Sequence, residues 1–213
     1  MSPKTADPAL RMALVEHAAR LLAEEGGGAL TLRRLAREVE TSTMAVYTHF
    51  GGMDELRREV RQEAFNRLAA HLGSVRPSRD PVFDLGLLGW AYCANAFENP
   101  ALYRVMFMEP LHGLGPADGR GTFDVLVGFI EAAARAGRFR PDNATGQAQQ
   151  VWSMTHGVVA LRLVDLLSIG DALETLFDGS LNLFIGFGDS AAAARRSMNR
   201  ARKAIISGMT VDG

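Results

Sequence analysis

Apolar residues recur at three- and four-residue intervals along nearly the whole chain, the spacing of a single buried helix face. The first run, Leu10, Ala13, Leu14, Ala18, Leu21 and Leu22, follows Asp7-Pro8, a capping side chain with proline at the first helical position. Gly26-Gly27-Gly28 stops it. Thr31 caps a second helix carrying Leu32, Leu35, Ala36 and Val39. A break at Glu40-Thr41-Ser42 leads into a short helix from Thr43 to Phe50, which Gly51-Gly52 ends. Asp54 then caps a long helix with Leu56, Val60, Ala64, Phe65, Leu68 and Leu72 on its buried face.

Ser, Pro and Gly cluster from Gly73 to Pro81, which predicts a boundary between domains 1–72 and 73–213. Beyond it, helices are predicted near 82–98, 101–107, 122–136, 144–168, 171–187 and 189–207. Asn99-Pro100, the Pro110–Gly121 loop, Gly137–Asn143 and Ser168–Gly170 separate them. Neither strand-period alternation nor an internal repeat is found, so the expected fold is all-α. The last predicted helix is basic (Arg195, Arg196, Arg200, Arg202, Lys203) and reads as a solvated face rather than a second contact surface.

The stretch from Thr31 to Leu56, TLRRLAREVETSTMAVYTHFGGMDEL, places two short helices around a tight turn behind one supporting helix. That is a helix-turn-helix, whose second helix must push compact side chains into the major groove. Leu32, Leu35, Ala36, Val39 and Val46 would pack the pair together. Thr41, Ser42, Thr43, Met44, Ala45 and Thr48 are left to face outward, all small enough to let the helix sit deep.

Charge neither adds to nor removes this reading. The chain has a net charge of −1, and residues 1–72 balance ten Lys/Arg against ten Asp/Glu. A DNA contact therefore depends on where Arg33, Arg34 and Arg37 point, not on their number. At 47% hydrophobic and 22% charged the chain can bury a core. No apolar run approaches bilayer length and residues 1–10 lack a secretory core, so a cytoplasmic protein without membrane association is expected. The single cysteine, Cys93, excludes an internal disulfide and a cysteine-rich zinc site, and its apolar neighbours suggest an inert thiol. His17, His49, His71, His112 and His156 show no metal-ligand spacing, and neither paired catalytic carboxylates nor a phosphate loop is present. We expect no enzyme, cofactor or metal.

The helix-turn-helix stretch resembles the tetracycline-repressor (TetR) family of regulators, through Thr31, Leu35-Ala36, Val39, Val46-Tyr47-Thr48-His49-Phe50 and Leu56. The resemblance covers roughly residues 10–66. It implies that Tyr47 and His49 bond operator phosphates, that Thr31 contacts the backbone while capping, and that Arg33 reaches a base edge or phosphate. The family usually carries lysine where Met53 stands, and Arg57 or Arg58 one turn later is the candidate substitute. Trp152, His156 and Gly157 resemble the Trp–His–Gly pattern of one subgroup's C-terminal domain.

The resemblance further implies a homodimer on a near-palindromic operator and a small-molecule effector. Helices 144–168 and 171–187 suit the dimer, through a stripe of Val151, Met154, Val158, Leu161 and Val164 or Asp165 and a second of Leu173, Leu176, Phe177, Leu181 and Phe184. The alternative is that these stripes belong to a core within one chain, but two adjacent, strongly apolar helices late in the chain favour the dimer. Effector-pocket candidates are Phe83, Leu87, Trp90, Ala94, Met106, Phe107, Phe123, Leu126, Phe129, Ile130 and Trp152, with Asp84, Asp124, Glu131 and His156 as possible polar groups. This composition points to a mainly apolar ligand with one or two hydrogen-bonding groups. His156 could meet such a ligand or be satisfied structurally. The expected function is a transcriptional regulator, by default a repressor. The alternative is a helical ligand-binding or interaction protein whose helix-turn-helix no longer binds DNA.

Overall fold

The structure is a computed structural model that describes residues 7–107 and 119–209. Lys4, His112 and most of the Pro110–Gly121 connection lie outside the described residues. Among those described there are ten helices and no strand: α1 (Pro8–Glu25), α2 (Leu32–Glu38), α3 (Thr43–Phe50), α4 (Met53–Ser74), α5 (Pro81–Glu98), α6 (Pro100–Phe107), α7 (Arg120–Arg135), α8 (Ala144–Leu163), α9 (Ile169–Gly186) and α10 (Ala191–Met209). No helix among them is long and apolar enough to cross a membrane. The chain divides into two compact units, Met1–Arg67 with Asn99–Asp118, and Leu68–Glu98 with Gly119–Gly213.

Capping side chains set the helix starts of the first unit. The Asp7 carboxylate accepts from the Ala9 N–H at 2.9 Å. Thr31 Oγ1 accepts from the Arg34 N–H at 3.3 Å, and Ser42 Oγ from the Ala45 N–H at 3.0 Å. Each satisfies one of the orphan donors at a helix start. Gly51 ends α3 in the left-handed region (φ 73°), where a side chain would be strained. Helix α4 begins at Met53, one residue before the expected cap, which places Asp54 and Glu55 in its first turn beside the positive end of the helix dipole. Leu14, Leu22, Leu35, Val46, Leu56 and Val60 are fully buried and form the core. Helix α6, expected with the larger domain, belongs to this unit and packs on α1. Its Phe107 ring meets Phe65 and Tyr103 at 6.3 and 5.0 Å.

In the second unit α10 lies against α5 and α9. Its basic composition is therefore only partly solvated: Ala194, Ser197, Met198, Ala201 and Ile205 are buried, while Arg195, Arg196 and Lys203 face water. A Cβ at Gly86 would stand 2.8 Å from Ala201 Cβ, so the two helices touch where glycine leaves room. Gly86→Ala should cost about 1–3 kcal/mol through overpacking, read as a lower urea midpoint. A change below about 0.5 kcal/mol would mean that α10 separates freely from α5.

An ionic clasp ties this packing together. Arg138 donates to Asp189 through Nε at 2.8 Å and Nη2 at 2.5 Å, and to Asp80 through Nη1 at 3.0 Å. Ser197 Oγ and Arg200 Nη1 also reach Asp80, at 2.8 and 3.1 Å. Burial alone would raise the Asp80 pKa; the Ser197 and Phe83 hydrogen bonds and the Arg138 charge outweigh it and hold it below 3.8. Arg200 also covers the Phe83 ring at 4.7 Å.

Two predicted features are corrected here. Helix α8 stops at Leu163, not 168. Asp165 turns to a positive φ of 57°, a conformation Asp tolerates better than most residues, and Ser168 with Asp171 forms a capping box that starts α9 at Ile169. The α9 stripe proposed for a dimer (Leu173, Leu176, Phe177, Leu181, Phe184) is buried inside the single chain, as are Val151 and Val158. Apolar surface remains instead at the α8–α9 corner, where Leu161, Val164, Leu166 and Ile169 are exposed.

Cys93 is buried in α5, and loss of solvation pushes its thiol pKa up to about 12. A thiol reagent at pH 8 should leave the native protein unmodified and react fully in guanidinium chloride. Labelling of the native protein within minutes would show that α5 opens.

Candidate nucleic-acid interface

Between α2 and α3 the chain reverses at Glu40 (φ 53°), and the Thr41 N–H bonds Ala36 O at 2.8 Å. Buried Leu35, Ala36, Val46 and Phe50 clamp α3 to its support, which fixes which side of α3 faces out. Ser42, Thr43, Met44, Tyr47 and Thr48 are exposed, Met44 by 70% and Tyr47 by 56%; Thr41, Ala45 and His49 are half-buried. Within α3, exposed Thr43, Met44, Tyr47 and Thr48 follow the spacing of one helix face, and Thr31 and Arg33 are exposed at the start of α2. His49 Nδ1 is buried without a partner, and its ring lies 6.0 Å from Phe50.

The three arginines of α2 separate clearly. Arg34 is held by Glu25 and, through Nε at 3.0 Å, by Glu38, and this pairing raises its pKa further. It fastens the end of α1 to α2. Arg33 and Arg37 are exposed and make no ion pair or hydrogen bond among the described residues. Of the two candidates to replace a lysine at Met53, Arg57 turns inward to donate to Gly27 O at 2.8 Å, while Arg58 stays on the surface paired with Glu55.

Residues 14–60 match the family description "Bacterial regulatory proteins, tetR family", and residues 85–184 match "Tetracyclin repressor-like, C-terminal domain". The chain belongs to the TetR family. It is a DNA-binding transcriptional regulator with the all-α architecture of that family. Over 179 residues it is 27% identical to an uncharacterized HTH-type transcriptional regulator of Mycobacterium tuberculosis, Rv0681, covering 83% of this chain and 80% of that one. A TetR-family regulatory protein from Rhodococcus RHA1 shares the fold with a TM-score of 0.72 at 23% identity, over 86% of this chain and all of the other. RolR, solved with resorcinol, superposes with a TM-score of 0.56 at 17% identity, over 90% and 94% of the two chains.

In the TetR C-terminal region the pocket candidates divide. Phe123 meets Trp152 edge-on at 6.1 Å, Trp152 lies 5.7 Å from His156, and Tyr92 Oη stands 3.3 Å from His156 Nδ1. Burial lowers the His156 pKa below 6.5, so its imidazole is neutral at pH 7. Tyr92 was missed from sequence; a tyrosine within the apolar run of α5 is the signal that could have found it. Leu87, Trp90, Ala94, Leu126 and Phe129 are half-buried on α5 and α7, whereas Ile130 is fully buried. Phe83 is covered by Arg200, and Met106 and Phe107 belong to the first unit. Of the other polar candidates, Asp84 is buried and accepts from the Ser78 N–H, while Asp124 and Glu131 are exposed. Separately, a cleft of about 270 Å³ opens between the start of α8 and the end of α9, lined by Arg140, Gln147, Asn182 and Phe187 among others. Among the described residues no three His, Cys, Asp or Glu gather as a metal site.

Proposed function

We propose that this TetR-family regulator is a two-fold dimer that represses from a near-palindromic operator and is released by a small, mainly apolar effector. The observation that carries the DNA side is the outward face of α3, with Thr43, Met44, Tyr47 and Thr48 exposed and Ala45 and His49 half-buried, beside Thr31 and Arg33 exposed on α2. Tyr47 and His49 bond phosphates, Thr31 contacts the backbone, Arg33 and Arg37 supply charge that no internal pair consumes, and α3 enters the major groove. Dimerisation uses the outer faces of α8 and α9 together with the apolar corner at Leu161, Val164, Leu166 and Ile169, because the inner faces are already filled.

The effector reading rests on the half-buried aromatic pair Phe123–Trp152 and the neutral polar pair Tyr92–His156 beside it. That RolR binds resorcinol, an aromatic ring with two hydroxyls, supports a ligand of this class. Helix α4 contributes to both units, so a ligand that favours one of its settings can alter operator affinity. A ligand that binds both settings equally would do nothing.

The test is binding of the purified protein to the intergenic DNA beside its own gene at two salt concentrations, followed by a panel of small phenols. Specific binding that weakens steeply with salt and is reversed by a phenol is expected. Release by highly charged compounds alone would overturn the effector class.

A further inference from the structure

We propose that the operator is read chiefly through the 5-methyl groups of thymine, by an apolar surface of α3 centred on Met44. This rests on the DNA-binding assignment and adds the chemistry by which bases are recognised. Arg, Lys, Asn and Gln, the residues that hold guanine or adenine through paired hydrogen bonds, are all absent from Thr43–Phe50. Two of the hydroxyls on this surface also serve the protein's own backbone. Ser42 Oγ caps α3, and Thr48 Oγ1 gives its proton to Met44 O at 2.8 Å. Tyr47 and His49 lie at the C-terminal end of α3, where they are assigned to phosphate.

Apart from the single-atom hydroxyls of Thr43 and Thr48, what α3 offers a base edge is apolar: the Met44 side chain, the Ala45 methyl and the methyls of Thr43 and Thr48. Met44 is held 70% exposed on a helix whose inner face is fixed by Val46 and Phe50, so packing does not account for its position. A large apolar side chain held in water gains on docking only if it meets another apolar group. The thymine methyl is the one such group in the major groove. The unbranched thioether also adapts to small differences in its position. Arg33 and Arg37 lie on α2, not on α3, and supply charge.

The test uses the full-length protein and the duplex it selects from a random pool. Each thymine is replaced singly by deoxyuridine, which removes the methyl and leaves base pairing intact. At the thymines under α3 each replacement should weaken binding about fourfold, the effect of one buried methyl. Met44→Ala should weaken binding to the parent duplex and make at least one of those thymines indifferent to the replacement. Its melting temperature should match the wild type, because the side chain is exposed. If sequence-specific binding persists while no replacement shifts Kd by twofold, methyl readout is wrong and the regulator assignment stands. If Met44→Ala leaves every uracil effect intact, Met44 is not the reader. If no duplex is selected and binding shows no sequence preference, the DNA-binding assignment fails as well.

Discussion

Arg138→Ala should lower the stability of the second unit by about 3 kcal/mol, the cost of leaving a buried charge without its partner. The Asp189 side chain is only 3% exposed and takes both of its close bonds from this guanidinium. Asp80 would keep Ser197 and Arg200 but lose its more enclosed cation. For a chain of this size the loss corresponds to a melting temperature roughly 10 °C lower. Arg138→Met combined with Asp189→Leu should recover much of it, because no uncompensated charge then remains. The pH dependence has a definite sign. A carboxylate whose pKa is depressed on folding stabilises the native state fully above its ordinary value, here 3.8, and loses that contribution as pH falls through the folded value. Acid unfolding below pH 4 should thus be shallower in Arg138→Ala than in the wild type. A melting temperature within 2 °C of wild type would show the clasp to be solvated.

Tyr47→Phe should weaken operator binding roughly tenfold or more per subunit, the value of a hydrogen bond to a charged oxygen. Because the ring is 56% exposed, folding should be unaffected, and Tyr47→Ala should weaken binding further by removing the ring contact. Salt titration separates this from a charge effect. A tyrosine hydroxyl releases no counterion, so the slope of log K against log salt should be unchanged in Tyr47→Phe, while Arg33→Ala should reduce it by about 0.9 per subunit if Arg33 meets a phosphate. Unaltered binding by Tyr47→Phe would exclude the phosphate contact.

Features set by neighbours in the chain were the legible ones. Asp7, Thr31 and Gly51 mark helix ends because caps act within three or four residues. The outward face of α3 followed from the same short spacing, since Val46 and Phe50 inside leave Met44, Tyr47 and Thr48 outside. What depended on distant partners was hidden. Arg33, Arg34 and Arg37 are equivalent as letters, and only Glu25 and Glu38 decide that Arg34 is consumed. The clasp joins residues 51, 58 and 117 positions apart, which no periodicity encodes. The apolar stripes of α8 and α9 were visible, but a helix buried within one chain and a helix at an interface have the same spacing. The early end of α8 turned on a single backbone angle at Asp165.

The inert Cys93 thiol makes the molecule a clean background for spectroscopy. It is the only cysteine in the chain, so a cysteine introduced on the surface, for example Glu24→Cys at the exposed end of α1, would be the sole site to take a dye under native conditions. In a dimer each molecule would then carry two dyes, one for each reading head. Energy transfer between them would report the separation of the heads with and without operator DNA.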